Sequence, residues 1–147
     1  MKKFFTILIA FLLVIVGFIV WSKVSAPAAG QSRTPSNLVS ASGIHWHPQL
    51  EIYVRGEKQE IPPNLGLGAV HQPMHTHAED SARGIIHLEF GSSVREDDLR
   101  LGRFFSVWGK DMRSLGANIK MSVNGKENTE YEEYIMRDQD KVELRYE

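Results

Sequence analysis

All six histidines of this 147-residue chain fall between His45 and His87. Imidazole is the commonest metal-ligating side chain and the usual proton carrier near neutral pH, so the spacing has to decide between those uses. His45 and His47, His75 and His77, and His87 and Glu89 each stand two residues apart in the stretches IHWHPQL, MHTHAED and IIHLEF. On an extended strand, side chains at i and i+2 point the same way about 6 to 7 Å apart. From there two donors can converge on one ion at about 2 Å. One such pair would be an ordinary solvated strand face, but the arrangement occurs three times. The expected ligands are His45, His47, His75 and His77, followed by His87, with His71, Met74 and Glu89 at the periphery. Without an ion, so dense a set of imidazoles repels itself once protonated.

The chain contains no cysteine, which removes thiolate ligands and disulfide staples alike. Imidazole with carboxylate suits Zn(II), Cu(II), Ni(II) or Fe(II), whereas Cu(I) prefers sulfur. Cu(II) binds nitrogen donors most tightly of the divalent series, which ranks copper slightly ahead of zinc. Three uses are open: capture, buffering or delivery of a metal to a partner; a small metalloenzyme with Glu89 or Glu79 as general base; and an ion that staples the fold. Binding stands ahead of catalysis, since the chain shows neither a Ser or Cys nucleophile motif nor a phosphate-cradling glycine loop.

The elements that must position these residues can be read around them. Residues 44–54 alternate in polarity as one half-buried strand, with His45 and His47 off the core face. Arg55 to Lys58 should turn the chain into a short strand near Gln59–Ile61, stopped by Pro62 and Pro63. Met74–His77 and Gly84–Phe90 read as two extended segments joined by Ala78–Arg83. From Ser93 the period becomes helical: Glu96, Asp97 and Asp98 suit a first turn, Leu101, Phe104, Phe105 and Trp108 form the apolar stripe, and Gly109 ends it. Ile119 to Val123 leads into Asn124-Gly125, a strong hairpin signal. Strands at Tyr134–Met136 and Val142–Tyr146 complete an α+β domain, β-grasp-like, with one helix on a mostly antiparallel sheet.

Ahead of this domain, residues 4–21 form an uncharged, mostly apolar run of eighteen behind Lys2 and Lys3. That is near the lower limit for a membrane span, and the charge bias places the remainder outside the cytoplasm. Residues 1–22 are thus expected to be a signal anchor, or a signal peptide cleaved near Ala26-Pro27-Ala28 to give a secreted protein. Residues 23–43, rich in Ser, Ala, Pro and Gly, read as a flexible linker, and residues 44–147 as the extracytoplasmic domain. From residue 44 onward there are 13 Lys and Arg against 18 Asp and Glu, a net −5. An acidic surface argues against a nucleic-acid partner and attracts cations.

The combination HWHPQLEIYVRGE, MHTHAEDSARGIIHLE, LGRFFSVWG and VNGK resembles a family of small, membrane-anchored or secreted His-rich metal-binding proteins of bacteria and archaea. The resemblance covers nearly all of residues 44–147. It implies a metal-binding extracytoplasmic domain. Two positions depart from the pattern. The Asp that directly follows HTH in such proteins is Ala78 here, with Glu79 and Asp80 further along the turn, and some members carry Cys near the place of His71.

Overall fold

Two-residue turns and an early proline set the layout of the chain. The computed structural model describes residues 37–147, so the apolar run and the linker up to residue 36 lie outside the described residues. The strands are β1 (Leu38–Ser40), β2 (Ile44–Trp46), β3 (Gln49–Val54), β4 (Glu57–Gln59), β5 (Met74–His75), β6 (His87–Phe90), β7 (Val94–Arg95), β8 (Ile119–Val123), β9 (Lys126–Asn128) and β10 (Lys141–Tyr146). One α-helix, α1 (Leu101–Trp108), is present among the described residues. The fold is α+β with mostly antiparallel sheets. Among these residues no helix is long and apolar enough to cross a membrane.

The strands form a five-stranded sheet in the order β4-β3-β10-β8-β9, a three-stranded sheet β2-β6-β5 and the pair β1-β7. Among the described strands only β3 and β10 run parallel, with Leu50 opposite Val142 and Ile52 opposite Leu144. Arg55-Gly56 and Asn124-Gly125 close the β3-β4 and β8-β9 hairpins, all four residues at positive φ, as tight two-residue turns require. The core is one apolar cluster that takes Leu50 and Ile52 from β3, Leu144 from β10, Leu88 from β6, and Phe104 and Phe105 from α1. Such side chains each contribute about 1.5 to 3 kcal/mol when fully buried.

Several expectations change. The single strand over 44–54 is two strands in two sheets, because Pro48 has no N–H to extend a ladder; its carbonyl still accepts the Ile86 N–H at 2.9 Å. Strand β4 starts at Glu57, earlier than expected, since the turn needs only Arg55 and Gly56. The acidic stretch after Ser93 is not the helix start: Val94 is buried and pairs with β1, Glu96–Leu99 make a 3₁₀ turn, and α1 begins at Leu101. Gly109 does end the helix, at φ +72.

Tyr134–Met136 is not a strand. Its backbone instead bonds the lead into α1, Leu101 N–H to Tyr134 O at 2.8 Å and Met136 N–H to Leu99 O at 3.0 Å. The expected linker also ends sooner than residue 43, because Leu38–Ser40 pair with β7.

Candidate metal centre

Strand β6 is the middle of the three-stranded sheet, and its register assembles the site. His45 of β2 lies opposite Glu89, and His75 of β5 lies opposite His87. Directly opposed residues share a face, so these four side chains stand together. The other face carries Trp46, Leu88 and Met74, which join the core. Met74, 3 % exposed and opposite Leu88 on the core face, is therefore a packing residue turned away from the histidines. His47 and His77 follow directly after β2 and β5, and keep to the site: the His47 and His77 rings stand 4.7 and 4.5 Å from the His87 ring, each nearly perpendicular to it.

Two backbone devices hold the strand ends. Thr76 is wholly buried and points away from its two histidine neighbours; its hydroxyl donates to Pro62 O at 2.8 Å and accepts the Leu65 N–H at 3.1 Å. Gly84 sits at φ +74, and a Cβ there would stand 2.1 Å from Leu50 O. Only glycine lets the chain leave the Ser81–Arg83 turn and reach β6.

The hydrogen bonds assign the ring nitrogens. His75 Nδ1 is 3.1 Å from Gln72 O; a carbonyl only accepts, so Nδ1 carries the proton and Nε2 of the neutral ring is left bare. His87 Nε2 donates to Asp80 Oδ2 at 3.0 Å, which leaves Nδ1 bare. That Nδ1 is buried with no hydrogen-bond partner among the described residues. The Glu89 Oε1 atom stands 3.6 Å from it and 3.9 Å from His75 Nε2, and His75 Nε2 is 3.2 Å from His77 Nε2. Ligands at about 2.0 to 2.2 Å around a tetrahedral ion are about 3.3 to 3.6 Å apart, so these separations fit a cation with small adjustments. His75, His77, His87 and Glu89 form a group that could hold a metal ion, with donor atoms all within 4.8 Å of one another.

Charge in the site follows from its packing. Burial pushes the His75 ring below the ordinary imidazole range, opposed by the Gln72 carbonyl and Glu89. His47 is lowered by burial and by the neighbouring His87 and His45 rings. For Glu89 burial acts upward, yet the pull of His45, His75, His87 and His77 outweighs it and holds the carboxyl below its usual range. The His87 hydrogen bond, helped by Arg83, lowers Asp80. Packing thus biases His75 and His47 toward the neutral imidazole and Glu89 toward the ionised carboxylate, the forms that bind metal.

The remaining expected residues stand at the edge. His45 Nε2 is 3.0 Å from Glu89 Oε1 with its side chain 63 % exposed. A second group of possible ligands is His45, His47 and His87. His71 is exposed, its ring 4.5 Å from that of His75. Glu79 is exposed and belongs to neither group of possible ligands. Two residues escaped sequence reasoning: Asp80, which orients His87, and Asp138, whose Oδ1 accepts the His47 N–H at 2.9 Å. Asp138 is 91 positions from His47, so no local pattern could have found it, whereas Asp80 is the displaced acid of the HTH turn. No protein-family model, curated protein or solved structure matches the chain.

Proposed function

We propose that the protein is a membrane-tethered, extracytoplasmic binding protein for a divalent transition metal, Cu(II) or Zn(II), that captures or buffers the ion and delivers it to a partner. The observation that carries this reading is the meeting of bare nitrogens and a carboxylate at one spot. His87 Nδ1 is buried without a donor among the described residues, and what faces it is the Glu89 carboxylate. Lone pair against carboxylate is unfavourable unless a cation lies between. The second nitrogens of His75 and His87 are held by Gln72 O and Asp80, the arrangement that orients metal-bound imidazoles.

Three imidazoles and a carboxylate match the four-coordinate preference of Zn(II), while the divalent affinity order favours Cu(II). With Met74 in the core, the group has no sulfur donor for Cu(I). The likeness to His-rich extracytoplasmic proteins and the apolar run over residues 4–21 support the tethered setting. The strand order β4-β3-β10-β8-β9 with a parallel central pair supports a β-grasp-like module as the scaffold.

Elemental analysis of the full chain, purified without an affinity His-tag, and titrations with Cu(II) and Zn(II) test the reading. One tightly bound equivalent is expected, weakened about 100-fold or more by H75A/H77A. A metal-free protein that refuses both added ions would remove the proposal.

A further inference from the structure

The two groups of possible ligands share one residue. His87 belongs to both, and Asp80 occupies its Nε2, so a single nitrogen, Nδ1, serves them both. Two ions cannot use that lone pair at once. The His87 ring has both His77 and His47 as neighbours, at 4.5 and 4.7 Å, with interplanar angles of 89° to each. Glu89 Oε1 also serves both sides, 3.0 Å from His45 Nε2 and 3.9 Å from His75 Nε2.

Exposure is graded along this line. The His45 side chain is 63 % exposed and that of His75 is wholly buried. The outer position is held in place, with the His47 backbone tied to Asp138. Resting on the metal-binding reading above, we infer that His45 and His47 form an outer station through which the ion enters and leaves the inner site of His75 and His77, with His87 and Glu89 bound to it throughout.

Stripping a divalent ion of its ligands before new ones attach exposes a bare charge, which is costly. Exchange between adjoining ligand pairs avoids that step. As the ion moves inward, its bonds to His45 and His47 break while bonds to His75 and His77 form. Oxidation state does not change; His77 Nε2, which donates to the bare His75 Nε2 at 3.2 Å when the inner site is empty, passes its proton to His77 Nδ1 through water as the ion binds. The inner position then holds the ion and the outer one sets the rate of transfer.

The test compares the full chain with H45A/H47A, H75A/H77A and H71A, each loaded with Zn(II). Affinity is read by titration, and transfer by stopped-flow mixing with a chromophoric chelator. H45A/H47A should hold the first equivalent within about threefold of the unmodified affinity, yet transfer it about tenfold or more slowly. H75A/H77A should do the opposite, with weak binding and rapid release. The station is refuted if H45A/H47A transfers Zn(II) at the unmodified rate, and also if its affinity falls as far as that of H75A/H77A, which would make all five histidines one undivided site. Slowing confined to H71A would place the path over His71 instead. An unmodified chain that binds no Zn(II) or Cu(II) at all would strike the metal-binding reading itself, a result distinct from these.

Discussion

Asp80 shows how one side chain beside a site can decide whether its neighbour ligates. Its carboxylate accepts from His87 Nε2 and also pairs with Arg83, so the His87 proton stays on Nε2 and Nδ1 is kept for an ion. In D80N an amide can turn its NH₂ toward the ring and favour the opposite tautomer, which would cap Nδ1 with hydrogen. Zn(II) affinity should fall about 10- to 100-fold, the range for partners of metal-bound histidines. Competition against a chelator of known affinity measures it. An unchanged Kd in D80N would mean that His87 does not ligate through Nδ1. The spacing of His87 and Glu89 was readable from the chain alone; the direction of each ring nitrogen was not, because it depends on which acceptor the fold brings behind the ring.

At the level of elements, the three-stranded sheet is a two-faced plate, with Trp46, Leu88 and Met74 inward and the histidines outward. Thr76 connects it to the Pro62–Gly66 loop, and the segment that follows Thr76 turns through Ser81–Arg83. T76V keeps the shape but takes from the Leu65 N–H and the Pro62 carbonyl the partner that the buried Thr76 hydroxyl supplies. A loss of about 2 kcal/mol is expected, to be measured by urea unfolding of the metal-free protein. Metal affinity should weaken as well, since β5 positions His75. The alternation of IHWHPQLEIYV correctly separated core from site residues, although Pro48 splits it between two sheets. The acidic run Glu96–Asp98 misled because it satisfies a 3₁₀ turn, where the Asp98 carboxylate accepts the Arg95 N–H at 2.9 Å, as well as it would a helix start.

For the whole molecule, the depressed groups give stability a definite pH dependence. His75 and His47 lie below the ordinary imidazole value of 6.5. As pH drops under that value the unfolded chain takes up protons that the folded chain refuses, and stability falls until the folded values are reached. Asp80 and Glu89 lie below their ordinary values of 3.8 and 4.5. Their contribution is present above those values and is lost as pH falls through the folded ones. The urea midpoint of the metal-free protein should therefore hold steady above about pH 7 and decline in two stages on acidification. Free Zn(II) at a hundred times its Kd should add about 2.7 kcal/mol at neutral pH. A midpoint that rises on acidification from pH 7 to 5 would contradict the buried, neutral state of His75.

What the sequence determined by itself is the inventory: histidines in i, i+2 pairs with a carboxylate in the same pattern, no cysteine, an apolar stripe ending in glycine, and an Asn-Gly hairpin. These are local properties, set by the pleat of a strand, the period of a helix and the φ demands of a turn. Tertiary structure alone decided that β6 lies between β2 and β5, that Asp80 and Gln72 O hold the outer nitrogens of His87 and His75, and that His87 is common to an exposed and a buried group. Register between distant strands places those atoms, and no spacing along the chain encodes it.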